Sequence, residues 1–169
     1  MFDLKSTVRE DVFIELGNYL AGININVVSS DFQRPWGGFF VLDENQSKQF
    51  ADLFFPGIEL STLQISGKLS PKILVVEPGK RLSWQYHLRR AEIWRVVSGT
   101  VGIMTSFTDA EAEMVMLSPG KEIRLAKGQR HRLVGLSGWG ILAEIWQHTE
   151  IEQPSDEHDI VRVQDDFGR

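Results

Sequence analysis

The stretch Gly79-Lys80-Arg81-Leu82-Ser83-Trp84-Gln85-Tyr86-His87-Leu88-Arg89-Arg90-Ala91-Glu92-Ile93-Trp94-Arg95-Val96-Val97-Ser98-Gly99 decides how the chain is read. Period-two alternation from Arg81 to His87 puts Arg81, Ser83, Gln85 and His87 on one strand face and Leu82, Trp84 and Tyr86 on the other. Glu92 opens the next β-type run, so a turn between the runs returns Glu92 beside His87. A third partner, His131, starts the run Arg130–Leu136 after the Lys127-Gly128 turn. Together they offer nitrogen and oxygen donors to one divalent cation, zinc being the natural occupant where thiolates are lacking. A His and a Glu five positions apart are also compatible with two solvated surface groups.

Outward from this stretch the texture is that of an all-β domain. Short runs cover Lys72–Glu77, Arg81–His87, Glu92–Val97, Val101–Ser106, Glu113–Leu117, Glu122–Leu125, Arg130–Leu136 and Ile141–His148, separated by turn residues such as Pro78-Gly79, Ser98-Gly99, Ser118-Pro119-Gly120 and Ser137-Gly138. Eight strands at this pitch predict a sandwich or barrel. Before them, Val8, Val12, Phe13, Leu16 and Leu20 recur at helical spacing and predict a helix over Thr7–Leu20, with Thr7 and Glu10 at capping-box spacing. A second helix, read as a surface insertion, is predicted over Asn45–Phe55, and none is needed beyond it. His148 and His158 read as solvated, and Ser155–Asp159 as a solvated acidic face.

Composition narrows the function classes. The 169 residues fit one domain with a modest appendage. Eighteen Lys and Arg against 23 Asp and Glu give a net charge of −5, the wrong sign for binding nucleic acid or anionic lipid. With no Cys, any metal must be held by His, carboxylate or amide groups. No apolar run is long enough to span a bilayer, so a cytoplasmic address is the default expectation.

The string Gly79, five residues, Gln85, one residue, His87, four residues, Glu92, six residues, Gly99 resembles the first motif of the cupin superfamily, with Gln85 where most members have His. Gly120, Ala126, Gly128 and His131 match the second motif, with Ala126 for the usual Pro and Gly135 for the usual Asn. Within the cupins the chain is similar to the phosphomannose isomerases, above all the C-terminal cupin domain of the bifunctional type II enzymes. Arg34-Pro35-Trp36-Gly37, Leu82-Ser83-Trp84-Gln85-Tyr86-His87, Arg90-Ala91-Glu92-Ile93-Trp94, His131-Arg132-Leu133 and Asp159-Ile160-Val161-Arg162 through Gly168-Arg169 carry the likeness. It covers residues from about 34 to the C-terminus, leaving residues 1–33 as an N-terminal helical extension without a functional reading. Leu88 and Arg89 depart from a usual His-rich run, and the nucleotidyltransferase domain of type II enzymes is missing, so no sugar-nucleotide synthesis is expected.

The resemblance implies an all-β cupin double-stranded β-helix, a jelly-roll barrel with a short N-terminal helical segment. It also implies a metal-dependent sugar-phosphate isomerase, mannose 6-phosphate to fructose 6-phosphate being the leading reaction. The alternatives are a cupin acting on another sugar phosphate and a sugar-binding cupin without turnover. Gln85, His87, Glu92 and His131 would hold the divalent metal, zinc first, with Mn, Co, Fe or Ni also compatible. Ser83 would touch sugar or bound water, unless it is only a satisfied inward hydroxyl. Arg90 and the terminal Arg169 would bind phosphate or stabilise an enediolate, unless they are surface charges. An Arg is a poor general base, so the proton-transferring group goes unnamed. The expected partners are a small sugar phosphate and a second copy in a homodimer, with neither nucleic acid nor membrane.

Overall fold

The computed structural model describes residues 2–65 and 67–168. Helix α1 (Arg9–Gly22) leads into a hairpin of β1 (Val27–Arg34) and β2 (Gly37–Leu42). A 3-10 turn (Glu44–Gln46), α2 (Ser47–Phe54) and the one-turn α3 (Leu60–Leu63) follow. The remaining strands are β3 (Lys72–Val76), β4 (Trp84–Tyr86), β5 (Arg90–Ser98), β6 (Val101–Ser106), β7 (Val115–Leu117), β8 (Glu122–Leu125), β9 (Arg130–Gly135), β10 (Gly140–His148) and β11 (Val161–Gln164). They form two antiparallel sheets, ordered β1-β2-β3-β10-β5-β8 and β11-β4-β9-β6-β7, the two-sheet architecture that the resemblance implies. Among the described residues no helix is long and apolar enough to cross a membrane.

The first sheet is covered on both faces, which explains why β3 is a continuous apolar run rather than an alternating one. Leu74 and Val76 of β3, Leu142 of β10, and Trp94 and Val96 of β5 point between the sheets, where they meet Trp36, Phe39, Leu82, Ile103, Leu125 and Leu133. Their neighbours Ile73, Val75, Ile93, Ile141, Ala143 and Ile145 face the other way, onto Val12, Leu16 and Leu20 of α1 and Phe50 and Phe54 of α2. Polar side chains placed on the inner face, such as Glu92 and Glu144, therefore sit deep in the barrel.

Several expectations are corrected. The Asn45–Phe55 segment is no surface insertion: α2 buries Phe50, Ala51 and Phe54 in the outer core, and α3 adds Leu63. Thr7 does not cap α1, whose N-cap is Val8 without a side-chain bond. The chain before the helix is instead fastened by the Glu15 carboxylate, which accepts from Lys5 N and Ser6 N, each at 2.8 Å. The run Arg81–His87 forms a strand only over Trp84–Tyr86, with Arg81 making a lone bridge to Val134. Beyond the eight expected runs the structure adds β1, β2 and β11. β1 is a polar edge strand. In β2, the Gly37-Gly38 pair looks like a breaker but permits close packing, since a Cβ on Gly37 would lie 1.9 Å from the Val75 carbonyl oxygen. Gly135, the departure from the usual Asn, has a similar cause, because a Cβ there would meet the Glu77 carbonyl oxygen at 2.0 Å.

Candidate metal centre

β4 and β5 form the two sides of the site, joined by the turn at Leu88-Arg89. Gln85 on β4 pairs in register with His131 on β9. Across the barrel, Glu92 lies opposite Trp146 on the β5–β10 ladder. His87, Glu92 and His131 are all buried, and one ligand atom from each lies within 4.8 Å of the other two. The predicted approach of Glu92 to His87 is realised at 3.1 Å, Oε1 to Nε2.

The ring tautomers follow from the outer nitrogens. Nδ1 of His87 is 2.5 Å from the Asp159 carbonyl and Nδ1 of His131 is 2.9 Å from the Gln129 carbonyl, so each Nδ1–H donates outward. Both Nε2 atoms then carry lone pairs that point toward Glu92. The His131 Nε2 and Glu92 Oε2 are buried without a hydrogen-bond partner. Two nitrogen lone pairs and a carboxylate converging on one buried point repel one another unless a cation lies between them. That donor set suits a divalent metal, with three protein ligands and room for a fourth.

Burial pushes Glu92 up, but the neighbouring His87, Arg90 and His131 side chains outweigh it and hold the carboxyl well below the usual range. Burial pushes His87 down, which keeps it neutral as a metal ligand must be.

Gln85 also lines the cavity. Its Oε1 accepts from the Ser83 hydroxyl at 2.5 Å. Ser83 itself is buried and does not line the cavity, so its hydroxyl orients Gln85. Arg90 is no surface charge: it is buried, with Nε 2.7 Å from Glu92 Oε1, Nη1 2.7 Å from Ser155 Oγ and Nη2 3.2 Å from His87 Nε2. Its guanidinium carbon also lies 3.6 Å from the centroid of the Trp146 ring. Arg169 lies outside the described residues.

Two further expectations fail. His148 is fully buried, with Nδ1 accepting from Ser155 N at 3.0 Å and Nε2 2.9 Å from Ser70 Oγ. Burial and nearby positive charges push it down to about 4. In the supposed acidic face, Ser155 and Asp159 are buried, and the Asp159 carboxylate accepts from Leu88 N, Arg89 N and Ser155 Oγ. His158 is exposed as expected.

Beside the cluster, a cavity of about 90 Å³ is lined by Arg34, Lys72, Arg90 and Arg162 together with Glu92, Glu144, Glu157 and the rings of Trp36, Trp94 and Trp146. Glu144 and Lys72 were missed in the sequence, although a signal existed. Each is a charged residue at an inward register position beside an apolar stretch, Lys72 heading Ile73–Val76 and Glu144 standing within Ile141–Trp146.

Comparison with known proteins agrees with this fold. Residues 44–165 match the family described as mannose-6-phosphate isomerase C-terminal. The xanthan biosynthesis protein XanB of Xanthomonas campestris is 31% identical over 137 residues, covering 80% of this chain and 23% of that protein. The alginate biosynthesis protein AlgA of Pseudomonas aeruginosa is 28% identical over 127 residues, covering 74% of this chain and 24% of its own length. The chain thus spans about a quarter of the curated relatives it matches. Among solved structures, Bacillus subtilis oxalate decarboxylase OxdC superposes with a TM-score of 0.55 at 10% identity, over 79% of this chain and 30% of that one. KdgF from Halomonas sp. gives 0.50 at 14% identity, over 73% and 91%. At these identities the two likenesses speak to the fold alone.

Proposed function

The chain belongs to the mannose-6-phosphate isomerase C-terminal family of cupins, and from that premise we propose that it is a metal-dependent isomerase of a hexose phosphate, interconverting mannose 6-phosphate and fructose 6-phosphate. The observation that carries the reading is the buried convergence of His87, Glu92 and His131 beside a cavity lined by cations. A divalent metal held by these three residues and Gln85, zinc by the donor set, would polarise the carbonyl and hydroxyl oxygens of the open-chain sugar.

The chain's own residues supply the rest. Asp159, through its main-chain carbonyl, and Gln129 fix the imidazole tautomers. Arg90 holds Glu92 Oε1 and keeps that carboxylate ionised. Arg34, Lys72 and Arg162 line the cavity and form the phosphate-binding side, where guanidinium groups can meet phosphate oxygens bidentately. Lys72 pairs with Glu157, which is half exposed and can release it to an incoming anion. The buried tryptophan rings exclude water around the reacting carbons.

The test is a coupled assay for fructose 6-phosphate formed from mannose 6-phosphate, after loading with zinc, manganese or cobalt and with bound metal measured by elemental analysis. Turnover with about one metal per chain supports the reading. Stoichiometric metal without turnover of any hexose phosphate overturns it in favour of a binding cupin.

A further inference from the structure

We propose that Glu144 is the carboxylate that carries the proton between C1 and C2 of the open-chain sugar, an inference that rests on the isomerase reading above. Three carboxyl groups line the cavity among the described residues: Glu92, Glu144 and Glu157. Glu92 is committed to Arg90 and the two histidines. Glu157 is more than half exposed and bound to Lys72 at the rim. Glu144 is left, and its placement suits the task.

On the β5–β10 ladder Glu92 lies opposite Trp146 and Trp94 lies opposite Glu144, so the two carboxylates are diagonal neighbours on one inner face. Diagonal positions put Cβ atoms about 7 Å apart, so both side chains reach into the same cavity. Glu144 is 5% exposed, and its Oε1 accepts from the Trp94 indole N–H at 2.9 Å, which orients the carboxyl.

The surroundings separate the two carboxyls chemically. Burial, and then the charge of Glu92, raises Glu144 to about 7, with Lys72 and Arg90 opposing and Glu157 adding to the rise. Arg34 and Arg162 line the same cavity. Glu92 is held ionised, whereas Glu144 takes up and releases a proton near neutrality, the property required of a group that accepts and then returns one.

The step balances without a co-reactant. The Glu144 carboxylate takes the proton from C2, the C2–H pair becomes the C1=C2 bond, and the carbonyl pair moves onto O1. The O2 proton passes to O1. Collapse of O2 to a carbonyl then lets C1 take the proton back from the Glu144 carboxylic acid, which regenerates the carboxylate and leaves the ketose.

Glu144→Gln keeps an oxygen for the Trp94 indole and removes the proton carrier. Expected are a kcat lowered by about 100-fold or more, KM within about threefold, unchanged metal content and melting temperature, and loss of solvent deuterium uptake at C1 of the ketose. The unmodified protein should lose kcat on the acid side of its pH profile, and the residual rate of Glu144→Gln should lack that limb. A kcat within about threefold of the unmodified protein overturns the assignment while leaving the isomerase reading intact. Failure of the unmodified, metal-loaded protein to turn over any hexose phosphate overturns both. Should Glu144→Gln not fold, Glu144→Asp decides: the shorter carboxylate should lose at least about tenfold in kcat, and an unchanged kcat overturns the assignment.

Discussion

His131 Nε2 stands 3.4 Å from Glu92 Oε2, and neither atom takes part in a hydrogen bond. A buried lone pair facing a buried carboxylate is costly in a protein interior, and a metal ion relieves it. The apo protein should therefore gain stability on loading. At a free zinc concentration 100 times Kd the gain is about 2.7 kcal/mol, a rise in melting temperature of roughly 5–10 °C for a domain of this size. A thermal melt with and without zinc checks it, and His131→Ala should abolish the rise.

Asp159 acts on the site without touching the cluster by its side chain. Its carbonyl holds His87 Nδ1, and its carboxylate pins the Leu88-Arg89 turn that joins His87 to Glu92. Asp159→Ala should weaken metal binding by about 10–100-fold, as loss of an outer partner does elsewhere, with His87 and Glu92 still present. Competition with a chromogenic chelator measures this. Burial opposes ionisation of Asp159, but bonds from Ser155, Leu88 and Arg89 and the charge of Arg90 lower it overall. Its contribution to stability is thus present above the ordinary Asp range and is lost as pH falls through the lowered value.

His148 gives a second acid limb at higher pH. The folded protein does not protonate it until about pH 4, while the unfolded chain does so near 6.5. The unfolded state therefore binds the extra proton between these values, and stability falls as pH drops from about 6.5 toward 4, by on the order of 2–3 kcal/mol. Denaturant titrations at stepped pH should show this slope, and His148→Gln should flatten it.

Arg9 ties α1 to the first hairpin. Its Nη2 donates to the carbonyls of Phe32, Arg34 and Gly37 at 2.8, 3.0 and 2.8 Å, and Nη1 pairs with Glu77. Arg9→Ala removes these charge-assisted bonds and should destabilise the protein by about 2–3 kcal/mol in equilibrium unfolding, without changing metal stoichiometry.

What was legible in the sequence follows local rules. The turn from His87 back to Glu92 is a short-range feature, and the structure places the two side by side as the spacing predicts. His131 was within reach because a second motif marks it. Long-range facts were not legible. Nothing in Ile141-Leu142-Ala143-Glu144-Ile145-Trp146 says which face looks into the barrel until the helices are seen to cover the other. His148 sits in a polar neighbourhood of the sequence, yet the chain folds Ser155 and Ser70 over it. All five Trp are buried within one chain, so none of them stands on an exposed face. The exposed apolar side chains Val27, Val28, Val115 and Met116 lie on the strand edges β1 and β7.

The central claim is proton transfer on a hexose phosphate at the His87, Glu92 and His131 centre. Proton NMR of mannose 6-phosphate incubated in D2O with the zinc-loaded protein tests it directly. The expected result is fructose 6-phosphate carrying solvent deuterium at C1, formed by the unmodified protein and not by His131→Ala. Metal-loaded protein that leaves mannose 6-phosphate unchanged, with neither ketose nor deuterium incorporation, would contradict it.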